Sequence, residues 1–444
     1  MIMKKKSDLK LIRALVSDAQ GHIFELDGYA AVGMSGEKYA PLRVHDTLAL
    51  PFGSELMMLP DRSPIVFDPQ ADQMVVLREN PHRHGQRLFP VAAFNSPGYV
   101  ISHICAYEER QENVSPLPLF AYGAVGWGRG GFRSAAICVD REKRQDLRYM
   151  RRRDVIAGVK RMQKRLPHNR LRRHLETCAL TYGCPAGKNF FLRRFEAPLP
   201  TSPTCNAHCL GCISLQDDSG IPSSQNRIAF TPSPQEICEV ATTHIAAVKH
   251  AVVSFGQGCE GDPLLVGDVL EVAIGLIRRQ TDAGTINVNT NGSRTGMVKK
   301  LCIAGLDSIR ISINSVRPDC YHAYFRPQRY RFEDVRRTID AAGAAGKFVS
   351  INYLNLAGFT DCEAECRALE HFLSNHPVSM IQWRNLNFDP RRYLRAMEAV
   401  ADNRDPIGMK TLLTRIHQRF PALRHGYFNP PRERFQAVKM PDQL

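Results

Sequence analysis

No run of eighteen apolar residues occurs in the 444-residue chain, which excludes a membrane-spanning helix. The charged start, Met1 to Lys10, is followed by no long apolar region or small-residue cleavage site, so a cytoplasmic location is expected. A disulfide framework is missing too. Thirteen cysteines, an odd number, are scattered along a long chain rather than paired at regular intervals. Free thiols of this kind suit a reducing compartment. Acidic residues are short, 44 against 59 Lys and Arg, for a net charge of +15. That balance favours acidic partners, nucleic acid among them.

One further shortage concerns ligands. Cys205, Cys209 and Cys212 stand at Cys-x3-Cys-x2-Cys spacing behind a short strand candidate, Phe195 to Leu199. A structural zinc site closes with four ligands, and no second pair stands at zinc-finger distance. An ordinary [4Fe–4S] cluster also takes four cysteines. Three thiolates therefore leave one iron of such a cluster free of protein, as a catalytic cluster requires. His208, adjacent to Cys209, would have to turn back sharply to serve as a fourth ligand.

Read along its length, the chain divides into four pieces: 1–140, 141–195, 196–390 and 391–444. The first is β-rich, with short apolar runs between turn signals such as Leu26-Asp-Gly28 and Asn95-Ser-Pro-Gly98. Its glycine-dense stretch, Gly123 to Gly131, precedes another strand candidate and reads as a hairpin rather than a phosphate loop. The second piece is a basic helical linker, with Arg151-Arg-Arg153 and further Lys and Arg to Arg173 around an apolar stripe. Its charged face is either simply solvated or an anion-binding surface for RNA, lipid headgroups or a partner. Cys178 and Cys184 complete no ligand set and read as packing thiols, as do Cys362 and Cys366. The fourth piece is a helical cover and tail.

The third piece alternates strand and helix in the rhythm of a parallel barrel. Its strands carry an unusual pattern. Parallel strands are normally apolar throughout, because both faces are buried. Here Asn287 and Asn289 alternate with Ile286 and Val288, and Arg310, Ser312 and Asn314 with Ile309, Ile311 and Ile313. Ser350 and Asn352 alternate with Ile351 and Tyr353, and Gln382 and Arg384 with Ile381 and Trp383. Burying this many polar groups without partners is costly. The pattern predicts a polar lumen that holds a polar ligand.

The cysteine motif and the segments downstream of it resemble the radical S-adenosylmethionine (SAM) enzymes. Gly211 departs from the pattern, since an aromatic residue commonly precedes the third cysteine. The resemblance implies an α/β fold, a partial (β/α)6 TIM-like barrel preceded by the β-rich region. It implies a [4Fe–4S] cluster on Cys205, Cys209 and Cys212, whose fourth iron is chelated by SAM. Gly258, Gly261, Asp262 and Pro263 resemble the family's Gly-Gly-Glu-Pro segment, with Asp262 in place of the glutamate. Asn289 and Asn291 look like the third-strand end near the ribose, Ser312 and Asn314 the fourth-strand polar site, and Asn352 a fifth-strand element near the adenine. The implied chemistry is reductive cleavage of SAM to a 5′-deoxyadenosyl radical that abstracts hydrogen from substrate. An electron donor such as flavodoxin or ferredoxin is implied as partner. Cys259, Arg310, Gln382, Arg384, Asn385 and Asn387 are the candidate substrate-facing groups, with Cys259 and Arg384 the catalytic candidates. Two other readings stay open at this point: an RNA-modifying enzyme using residues 141–173, and a non-catalytic iron–sulfur or zinc-binding protein.

Overall fold

A computed structural model of the chain describes residues 10–112, 114–216, 220–402 and 405–436. Its N-terminal region is built from short antiparallel strands around Arg13–Ser17, which pairs with Ile23–Ser35, Phe89–Phe94 and Gly123–Gly128. Gly123–Gly128 turns back into Gly131–Ser134 as a hairpin. Three helices come next: α1 (Arg152–Arg165), α2 (Arg170–Leu180) and α3 (Pro185–Leu192). Part of the basic linker is paired, while Arg151, Arg152, Arg153, Lys160, Lys164 and Arg165 stay exposed. Arg144 pairs with Glu142, Arg148 with Asp146, Arg170 with Glu236 and Arg172 with Glu176.

The remainder is a curled parallel sheet wrapped by helices. Its strands run in simple sequence order: β1 (Glu196–Pro198), β2 (Val252–Phe255), β3 (Thr285–Thr290), β4 (Ser308–Ile313), β5 (Phe348–Asn355), β6 (Met380–Asn385) and β7 (Arg424–Gly426). Helices α4 (Pro234–Ala247), α5 (Gly267–Gln280), α6 (Thr295–Ala304), α7 (Pro318–Phe325), α8 (Phe332–Ala344) and α9 (Glu363–Asn375) make the crossovers. Helices α10 (Pro390–Glu398) and α11 (Met409–Arg419) lie between β6 and β7.

The parity pattern explains the layering. Ile286, Val288, Ile309, Ile311, Ile351 and Ile381 are fully buried against the helices. The opposite parity points inward and forms a hydrogen-bonded floor. Ser308 Oγ donates to Asn287 Oδ1 at 2.8 Å, and Asn287 Nδ2 donates to Asn289 Oδ1 at 2.8 Å. Gln382 Nε2 reaches Asn429 Oδ1 at 2.7 Å, and Asn429 Nδ2 reaches Glu196 Oε1 at 2.7 Å.

The segment after β7 holds no strand or helix up to Pro431, yet it packs inward. The chain after β7 enters the barrel and closes its floor, with Asn429 only 2% exposed. The barrel also has one strand more than the six expected.

The N-terminal region forms one wall of the barrel's open side. Asn385, at the end of β6, binds the edge of Tyr99–Ile101 as a neighbouring strand would. Its Oδ1 accepts from Ile101 N at 2.8 Å, and its Nδ2 donates to Tyr99 O at 2.9 Å. Arg62 and Asp389, each 1% exposed, pair across the same junction at 3.4 Å. One continuous apolar core runs through both regions, from Val32 and Tyr107 to Trp383 and Ile416.

Candidate active site

The loop between β1 and α4 carries the three cysteines, and buried acids fix its position. Glu260 accepts from Thr201 N at 2.7 Å, Ser202 N at 2.9 Å and Gln257 N at 2.7 Å, and from Thr201 Oγ1 at 3.1 Å. Burial pushes its pKa up to about 7, against the pull of those donors. Asp262 accepts from Asn291 N at 2.7 Å, Leu264 N at 3.0 Å and Thr290 Oγ1 at 2.9 Å. Asn291 in turn donates to Asn206 Oδ1, inside the cysteine motif, at 2.7 Å. The exit of β1, the Gly258–Pro263 loop and the end of β3 are thus fastened to one another. Asp262, Asn289 and Asn291 serve this frame with their side chains; Asn289 Nδ2 donates to Phe255 O and Gly256 O at 2.8 Å.

The motif thiols are not gathered as tightly as one zinc ion would need. Sulfurs around one tetrahedral zinc stand about 3.8 Å apart, given Zn–S bonds of about 2.3 Å. Among the described residues, the set of three ligand atoms that closes to within 4.8 Å lies elsewhere, at His174, Cys178 and Cys259. The motif cysteines form no such closed set. Burial pushes the Cys205 thiol up to about 12 and Cys209 well above the usual thiol range. A cationic centre relieves that penalty, because a coordinating thiol is deprotonated outright. Arg227 Nη2 lies 3.5 Å from Cys212 Sγ and gives that sulfur a charged donor. His208, the remote fourth candidate, is exposed.

Gly211 accounts for its own departure. A Cβ there would lie 2.8 Å from Tyr324 Oη and 3.1 Å from Asn387 O. The buried ring of Tyr324, from α7, occupies the space that an aromatic residue at 211 would need. Gly211→Phe is therefore expected to lose most of its iron on reconstitution, and pairing it with Tyr324→Ala to restore a substantial part. Iron and sulfide assays on the two variants check this.

Above the cysteines lies a cavity of about 950 Å³. Its barrel wall includes Cys209, Cys212, Arg310, Ser312, Asn352 and Arg384. Phe94, Asn95, Ser96 and Phe120 of the N-terminal region face them, with Lys188 from α3. Several polar atoms on the barrel side are buried and unpartnered: Arg310 Nε, Asn352 Oδ1 and Arg384 Nε. Arg310 donates to Gln382 Oε1 at 3.1 Å, and burial beside Arg384 pushes its pKa down to about 9. Arg384 stacks on the Tyr427 ring at 3.9 Å.

The structure gathers the sequence candidates selectively. Ser312, Asn352, Arg310, Arg384, Asn385 and Asn387 line the cavity, although the Asn385 amide is taken by the N-terminal strand. Gln382 lies beneath it in the floor. Asn314 is turned away. Its Nδ2 donates to Cys320 O and Tyr393 Oη, each at 3.1 Å, on α7 and α10. Cys259 is also outside, packed against Cys178 and His174 rather than facing a substrate. Tyr427 and Lys188 join the cavity as well, and nothing local in the sequence marks either of them.

Residues 199–367 match the model of the Radical SAM superfamily. No curated protein matches the chain. Among solved structures, a radical SAM methyltransferase from Sphaerobacter thermophilus aligns at 14% identity and TM-score 0.34, over 46% of this chain and 64% of that one. TsrM, a radical S-adenosylmethionine methyltransferase from Kitasatospora setae, aligns at 13% and 0.34, over 44% and 36%. The FeFe-hydrogenase maturase HydG from Carboxydothermus hydrogenoformans aligns at 14% and 0.33, over 63% and 80%. The chain thus spans less than two thirds of the first two.

Proposed function

We propose, from the premise that this chain carries a radical SAM domain at 199–367, that it is a radical SAM enzyme acting on a small anionic substrate. The superfamily uses a [4Fe–4S] cluster and SAM. When bound, they supply reductive cleavage of SAM to a 5′-deoxyadenosyl radical, which takes hydrogen from the substrate. Cys205, Cys209 and Cys212 would hold the cluster. Ser312 and Asn352, beside Cys209 and Cys212 in the cavity wall, would orient SAM. The observation that carries the substrate class is the pair Arg310 and Arg384. Both face the cavity, and neither makes an ion pair with a described carboxylate within 4 Å. An arginine so placed can grip a carboxylate or phosphate through two parallel hydrogen bonds. The N-terminal wall and the Arg384–Tyr427 stack exclude water and hold that guanidinium in one orientation.

The test is anaerobic reconstitution with iron and sulfide, then reduction with SAM and assay of 5′-deoxyadenosine. The intact chain is expected to form it, and Cys205→Ala to form none. A panel of carboxylated and phosphorylated small molecules then serves as deuterium donors. Arg384→Ala is expected to keep basal SAM cleavage within about twofold and to weaken the accepted substrate by about 2–4 kcal/mol. A reconstituted cluster that never cleaves SAM, or zinc filling the three cysteines, would sink the reading.

A further inference from the structure

A second group of possible ligands lies outside the lining of the cavity. Helix α2 places His174 and Cys178 one turn apart, so both side chains occupy the same face. Cys259, in the loop after β2, meets them from the barrel. The ligand atoms of the three all fall within 4.8 Å of one another. Cys178 and Cys259 are 1% and 4% exposed. His174 is half-buried and joins the set from the solvent side.

The separations suit one small ion. Zn–N bonds of about 2.0–2.1 Å and Zn–S bonds of about 2.3 Å put the two atoms about 3.6 Å apart across a tetrahedral angle. His174 Nε2 and Cys178 Sγ are 3.5 Å apart. Two thiolates and an imidazole are also the donors that zinc prefers. A further thiol, Cys184, is tied to the same helix end, with its N–H donating to Cys178 O at 2.9 Å.

We propose that His174, Cys178 and Cys259 bind one zinc-class divalent cation, which fastens α2 to the Gly258–Pro263 loop. Two thiol protons leave as the metal arrives, and no electrons are exchanged. The ion would hold, at Cys259, the same loop that Gly261 and Asp262 fasten to the chain leading into the cysteine motif. The proposal does not depend on the reading of the cavity.

The experiment uses the full chain with Cys205, Cys209 and Cys212 all replaced by Ser, so that the motif supplies no thiolate. The protein is stripped of metal, kept anaerobic and titrated with cobalt(II) alone. One cobalt per chain is expected, with a thiolate-to-cobalt charge-transfer band that zinc abolishes. Adding Cys178→Ala or His174→Ala should weaken cobalt by at least about tenfold. His174→Ala removes a half-buried ring and should leave the circular dichroism unchanged. This keeps the result readable if a cysteine variant misfolds. No charge-transfer band, or one that survives both replacements, would overturn the site, as would a Cys178–Cys259 disulfide in the anaerobic protein. The triple variant abolishes cluster chemistry, so failure here is distinct from failure of the proposed reaction.

Discussion

Gly261→Ala is expected to remove the iron–sulfur centre while leaving the cysteines in place. At this position the Gly258–Pro263 loop runs directly against the segment that leads from β1 into the motif. Gly261 N donates to Ser202 O at 2.7 Å, and Asp262 N donates to Thr204 O at 2.9 Å. A methyl group on Gly261 would stand 1.8 Å from Thr204 O and 2.9 Å from Cys205 N. Those atoms are backbone and cannot step aside as a side-chain tip can. Relief requires the two segments to part, which breaks both hydrogen bonds and strains the four-donor shell of Glu260. The cost is roughly 3 kcal/mol or more, and it falls on Cys205. Iron per chain after anaerobic reconstitution should drop to near background, and 5′-deoxyadenosine with it. Gly296→Ala is the control, because a methyl group there meets nothing within 4 Å. Normal iron in Gly261→Ala would mean that the loop does not brace the motif.

The second large effect lies at the junction of the two regions. Asp389 accepts from Arg62 Nη2 at 3.4 Å and Leu117 N at 3.0 Å, and it caps α10 through Arg391 N and Arg392 N. Asp389→Ala leaves Arg62, 1% exposed, with Glu109 at 3.8 Å as its nearest remaining carboxylate. Removing one partner from a buried ion pair typically costs about 3–5 kcal/mol. Loss of the cap adds about 1 kcal/mol. The urea midpoint should fall sharply, while Asp389→Asn recovers the cap and only part of the loss. A midpoint unchanged in Asp389→Ala would show that the two regions are held together by their apolar core alone.

The features legible in the sequence are those written in local periodicity. Alternation along β3, β4, β5 and β6 sorts the inward Arg310, Ser312, Asn352 and Arg384 from the outward isoleucines. The cysteine spacing picks out the loop after β1, whose Cys209 and Cys212 line the cavity. Parity fails at Asn314, which stands one residue past the end of β4, where the pleat no longer governs direction. One helix, α7, is hidden because it is short and opens on a proline, Pro318, that reads as a turn. Cys178 and Cys259 lie 81 positions apart, and their meeting depends on how α2 docks against the barrel. Asn429 and Tyr427 reach the site only because β7 carries the chain back under the sheet. Contacts set by tertiary docking leave no mark in any short window.

The clamp between Asn385 and Tyr99–Ile101 bears on what can enter. A wall sewn to the barrel by strand-like hydrogen bonds and a buried charge pair cannot swing aside as a lid does. Selection at the mouth is then by gauge: the guest must already be small enough for about 950 Å³, near the top of the roughly 300–1,000 Å³ usual for small-molecule sites. Under the proposed function, with SAM sharing that space, a nucleotide-sized guest would fit, and a folded macromolecule would enter only through one protruding residue.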